Sequence, residues 1–134
     1  MRSVAALACV SLALAACGED DEAAAPAAPP AGLLADLEVT YDRDGQGGRE
    51  PIRARVRCSG PGDSATCRAV AGLTAQDFAP TPDKVACTLQ YGGPRTASVT
   101  GTLRGEEIDA EFSREDGCAI NRWEGVAPLI ESVP

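Results

Sequence analysis

Six cysteines and no histidine frame the chemistry open to this chain. Without histidine, a serine or cysteine nucleophile has lost its usual general base. The commonest zinc ligand is missing as well. The expectation is a protein that is not an enzyme and needs no cofactor. Four of the cysteines, Cys58, Cys67, Cys87 and Cys118, lie in the body of the chain with 8, 19 and 30 residues between them. These intervals fit no metal knuckle. An even set of cysteines in a small exported domain reads as two disulfides, but four cysteines allow three pairings and spacing alone does not choose.

The other two cysteines belong to the N-terminal segment. Met1-Arg2-Ser3 opens the chain and an apolar run follows from Val4 to Ala16. One positive charge before a short apolar run reads as a secretory signal peptide, residues 1–16. It is too short for a bilayer span of about 20 apolar residues. Cys9 falls inside it and would be discarded. Leu14-Ala15-Ala16-Cys17 looks like a bacterial lipobox, which would put a diacylglyceryl thioether on Cys17 and anchor the chain on the extracytoplasmic face of the cell membrane. Two long acyl chains hold firmly, because each buried methylene adds about 0.8 kcal/mol. Residues 17–32, made of Glu, Asp, Ala, Pro and Gly after the cysteine, have almost nothing to bury and read as a disordered tether.

What remains, residues 33–134, is one domain of ordinary size. Once Arg2 leaves with the signal, 20 acidic residues face 11 basic ones, a formal charge of −9. Nucleic-acid binders need basic patches, so no nucleic-acid partner is expected. Gly45-Gln46-Gly47-Gly48 is glycine-rich, but Arg49-Glu50-Pro51 follows and cannot open a helix cleanly, so it is no phosphate loop.

Alternation supplies the elements. Leu37, Val39 and Tyr41 mark one strand, and Ile52, Ala54, Val56 and Cys58 a second, with Arg53, Arg55 and Arg57 as a stripe on its other face. That stripe is either solvated or in contact with acidic neighbours. Ser64 or Asp63 can cap a helix from Ala65 that turns Cys67 inward. Ala97–Leu103 and Ile108–Phe112 make a hairpin around Arg104-Gly105. After Cys118 comes a short turn or helix containing Trp123, then an apolar piece from Val126 to Ile130. The expected fold is α+β: an antiparallel sheet of four or five strands, one main helix and one short helix, with two disulfides.

From about Leu37 onward the order of features resembles the subtilisin inhibitor-like family. A strand ends in Val56-Arg57-Cys58, a Gly60-Pro61-Gly62 turn follows, and Cys67 starts a helix. Cys87-Thr88-Leu89-Gln90-Tyr91 then opens a loop that reaches Pro94; Val99, Gly101 and Gly105 mark a hairpin; Phe112-Ser113 precedes Cys118. The resemblance implies disulfides Cys58–Cys67 and Cys87–Cys118. It implies a reactive loop in which Cys87, Thr88, Leu89, Gln90 and Tyr91 fall at P3, P2, P1, P1′ and P2′, so Leu89–Gln90 is the bond offered to a protease. The implied partner is an extracellular serine protease of the subtilisin or chymotrypsin type, whose apolar S1 pocket suits leucine. Members of that family often form homodimers through their sheet faces, which the arginine stripe would hinder.

This sequence departs from the family pattern at three places. Gly92-Gly93 stands where the better-known secreted members have one residue, and Arg114–Gly117 before Cys118 is one residue longer. Leu103 stands where tryptophan is common. A second reading therefore stays open: the same fold as a non-inhibitory cell-envelope binding or structural module. The residues alone also allow Thr88–Tyr91 to be a strand with Leu89 and Tyr91 turned into the core.

Overall fold

The computed structural model describes residues 32–134. The expectations for residues 1–31, namely the signal peptide, acylation at Cys17 and nearly all of the tether, lie outside the described residues. Four strands form: β1 (Ala35–Asp42), β2 (Ile52–Cys58), β3 (Thr96–Leu103) and β4 (Glu106–Phe112). They pair antiparallel in the order β2-β1-β3-β4. Two helices, α1 (Ala65–Ala71) and α2 (Gly117–Ile130), and a 3₁₀ turn at Ala75–Phe78 complete the α+β fold.

The sheet has one wet and one dry face. Along β1, Ala35, Leu37, Val39 and Tyr41 are buried, and the pattern repeats on β4 with Ile108, Ala110 and Phe112. Leu37 sits between Val56 of β2 and Gly101 of β3. Gly101 has φ +129°, and a Cβ there would collide with the Asp36 carbonyl oxygen, so this close approach requires glycine. The β3–β4 turn is Arg104-Gly105, both at positive φ, the two-residue hairpin geometry that matches strand twist. Arg104 is held there by its own side chain, which donates to the Leu73 and Ala71 carbonyls at 2.8 and 2.7 Å, the unpaired end of α1.

The relative lengths of the helices reverse the sequence expectation. α1, with Ser64 accepting from the Cys67 N–H, is 7 residues, whereas α2 runs 14. The sequence reading has a short turn or helix around Trp123 and Val126–Ile130 as a separate apolar piece, and Gly125 and Pro128 are both poor helix formers. Packing overrides both. Ile120, Trp123, Val126, Leu129 and Ile130 lie buried along α2, most of them at 3-residue steps. Burial of an amphipathic face, more than propensity, is what holds a helix in a folded protein. No fifth strand forms among the described residues.

The arginine stripe is both solvated and paired. Arg55 donates to Asp36 from Nε and Nη2 at 2.7 and 2.9 Å, and Arg57 Nε reaches the same carboxylate at 3.3 Å. The Arg55 guanidinium foremost holds the Asp36 carboxyl below the usual carboxylate range. The disulfides are Cys58–Cys67 and Cys87–Cys118, with Cα separations of 5.5 and 5.3 Å. The first ties the end of β2 to α1 inside the core. The second ties a long loop to the start of α2.

Candidate functional site

Between Phe78 and Thr96 the chain runs 17 residues without a strand or helix. Pro80, Pro82 and Pro94 remove backbone donors, so little of this stretch could join a ladder. Loops of this length are uncommon in small domains and are either functional or disordered. This one is built. At its start, Arg122 of α2 donates from Nε to the Ala79 carbonyl at 2.9 Å and from Nη1 to the Glu111 carbonyl at 3.1 Å, with its guanidinium 4.8 Å from the Phe112 ring centre. At its end, Arg95 meets Tyr41 Oη at 3.4 Å and Glu131 at 3.5 Å. The turn after β1 also presses on this end: a Cβ on Gly45 would collide with the Pro94 carbonyl oxygen. That turn is fixed in part by Asp42, whose carboxyl the Gly45 and Asp44 N–H groups hold below the usual range.

The middle of the loop is tied to one support segment, Arg114–Cys118. Cys87 is bonded to Cys118. The Thr88 carbonyl accepts from the Gly117 N–H at 3.0 Å, and the Gly92 N–H donates to the Arg114 carbonyl at 2.8 Å. Gly92 also lies close over Ile120, since a Cβ there would come within 2.9 Å of its side chain. Leu89, Gln90 and Tyr91 are thus the three residues between two anchored points. Leu89 is 99% exposed and Tyr91 66% exposed. With Val85, these are the exposed large hydrophobic residues among the described part of the chain, and all three are on this loop. The alternative strand with Leu89 and Tyr91 turned inward does not form.

Among the residues singled out from the sequence, the structure brings Cys87, Thr88, Leu89, Gln90 and Tyr91 together as one tip and joins Cys87 to Cys118. Cys58 and Cys67 lie apart, in the core. Cys17 is outside the described residues. The sequence reading had the Cys87–Cys118 tie and the Arg114–Gly117 stretch beside it, but missed the two backbone hydrogen bonds through which Gly117 and Arg114 hold the tip. Asp116-Gly117-Cys118 carries a signal that could have found one of them, because an aspartate before a helix is a capping residue; Asp116 Oδ1 accepts from the Ala119 N–H at 2.8 Å. Cys87, Cys118 and Asp116 stand close enough to suggest a metal site, but both sulfurs are spent in the disulfide and Asp116 caps α2.

Chemically, the arrangement can present a short peptide with an apolar side chain at its centre while keeping both flanks fixed. A protease binds its substrate as an extended strand, and a segment already ordered loses little entropy on binding. Compared with protein-family models, curated proteins and solved structures, the chain matches none.

Proposed function

We propose that this domain is a serine protease inhibitor that presents Leu89–Gln90, substrate-like, to an extracellular protease of the subtilisin or chymotrypsin type. The observation that carries the reading is a fully exposed leucine between two backbone hydrogen bonds and a disulfide that all lead to one support segment. A hydrophobic side chain left in water at the tip of an ordered loop gains by entering an apolar pocket. Buried anchors of this kind supply most of the energy of such interfaces. The ties to Arg114 and Gly117 would hold both new chain ends near each other if the bond were cut, so that the bond re-forms. Acylation at Cys17 would keep the domain tethered on the extracytoplasmic face of the cell membrane.

The test uses the purified chain with both disulfides formed. Progress curves for subtilisin and for chymotrypsin with a chromogenic substrate should show inhibition, and mass spectrometry after long incubation should show slow, partial cleavage at Leu89–Gln90 alone. Leu89→Asp should abolish inhibition, because a carboxylate would be buried without a partner. Rapid degradation at many bonds, or no inhibition of either enzyme at micromolar concentration, would leave the non-inhibitory binding module as the reading.

A further inference from the structure

We propose that Gly117 is a positioning residue of the loop: it is glycine because Thr88 occupies the space a side chain would need. For its functional consequence this rests on the inhibitor reading above. Gly117 opens α2. It is absent from the residues at positive φ, so backbone conformation does not call for glycine there. By helix propensity alone, alanine would be the better residue. Space is what excludes it. A Cβ on Gly117 would collide with Thr88 Oγ1 and lie 3.3 Å from Thr88 Cβ, while the Gly117 N–H donates to the Thr88 carbonyl at 3.0 Å. Thr88 is therefore seated on the first turn of α2 by both its backbone and its side chain. Leu89 is the next residue along. A side chain at 117 forces Thr88 Oγ1 aside and presses on Thr88 Cβ, which strains that hydrogen bond and loosens the Leu89–Gln90 bond.

The consequence is chemical. When a serine hydroxyl attacks the Leu89 carbonyl, the peptide bond breaks, an ester forms, and Gln90 leaves as a free amine. Held by Gly92 on Arg114, that amine can attack the ester, re-form the peptide and return the hydroxyl. Water wins only if the ends drift apart. An unseated Thr88 lets them drift, so the inhibitor becomes a substrate.

The experiment compares the native chain with Gly117→Ala, Thr88→Ala and the double variant. One readout is amide exchange at positions 92 and 117, and the other is the rate of Leu89–Gln90 cleavage by subtilisin. Gly117→Ala should speed both by roughly tenfold or more with both disulfides intact. Thr88→Ala removes the obstructing Oγ1, so amide exchange in the double variant should return to within about threefold of the native chain, the coupling expected of residues in contact, while its cleavage is compared with that of Thr88→Ala alone because Thr88 itself meets the protease. Unchanged exchange in Gly117→Ala, or no rescue of exchange in the double variant, would overturn the proposal. If the native chain fails to inhibit, the inhibitor reading falls while the exchange measurements still decide whether Gly117 seats Thr88.

Discussion

The two disulfides use the same chemistry in opposite surroundings. Cys58 and Cys67 are buried at 0% and 3% exposure and lie nine residues apart. Cys87 and Cys118 are half-buried and 31 apart. The first is a fastener within a core that the sheet and α1 already define. The second holds a loop that no ladder holds, and it stands beside the most exposed leucine among the described residues. One cross-link therefore serves the fold and the other serves the shape of a surface.

The largest expected effect separates two ways of breaking these links. In the chain-entropy view, closing 31 residues restricts the unfolded chain by about 3.7 kcal/mol and closing 9 by about 2.6 kcal/mol. Opening the bonds while keeping the sulfurs should therefore cost more at Cys87–Cys118. Alanine pairs should reverse the order. Cys58→Ala with Cys67→Ala also vacates two buried sulfur positions, each worth about 1 kcal/mol as a methyl-sized void. That pair should lose about 4–5 kcal/mol, against about 3.7 kcal/mol for Cys87→Ala with Cys118→Ala. Denaturant unfolding measures both. The same pair of variants should split on function: the Cys58/Cys67 variant, at a temperature where it is folded, keeps its inhibition, and the Cys87/Cys118 variant is cut. Equal loss of inhibition in both would erase the distinction between fold and surface.

A second contrast sets Leu37 against Leu89. Leu37 is fully buried at the centre of the sheet, so Leu37→Ala should destabilise by about 2–5 kcal/mol. Leu89 has nothing to lose in the free protein, and Leu89→Ala should leave the melting temperature unchanged. In a complex the same substitution removes a side chain worth roughly 1.5–3 kcal/mol on burial. It should weaken inhibition by roughly tenfold to a hundredfold. Leu89→Lys should move preference toward a trypsin-type enzyme, whose pocket carries a buried aspartate. A fall in melting temperature for Leu89→Ala would mean that the loop tip contributes to the core after all.

Much of this architecture was legible because it rests on side-chain periodicity. Leu37, Val39 and Tyr41 announce β1, Arg104-Gly105 announces its hairpin, and Ser64 announces α1. The order of the four cysteines carried the two disulfides through the family resemblance. What stayed hidden is instructive. α2 was obscured by Gly125 and Pro128, whose local preference lost to burial along one face. The loop supports at Arg114 and Gly117 work through a carbonyl, an N–H and the absence of a side chain. Backbone groups are the same in every residue type, so no pattern of letters reports which of them will meet. The tip residues and the disulfide beside them could be named from sequence, but the backbone ties that hold the tip could not.

The smallest effect concerns the outer sheet face beside the core disulfide. Asp36 pairs with Arg55 and Arg57, and Arg57 directly precedes Cys58. The Arg55 guanidinium lowers the folded-state pKa of Asp36. A carboxyl so lowered contributes stability that is present above its unfolded value, about 3.9, and is lost as pH falls through the lower folded value. Asp36→Asn should therefore differ slightly from the native chain at pH 7, and the gap should close as pH drops below about 4. The Arg55 and Arg57 side chains are 61% and 59% exposed, so salt should shrink the gap as well. Asp42, lowered chiefly by the Gly45 N–H, titrates in the same direction, and Asp42→Asn serves to subtract its share. Thermal melts of the three proteins between pH 7 and pH 2 make the measurement. A gap for Asp36→Asn that persists undiminished at pH 2 would show that the residue acts through packing on the strand, not through its charge. A gap that closes would locate the acid-sensitive contact at the Cys58 end of the sheet, away from the loop.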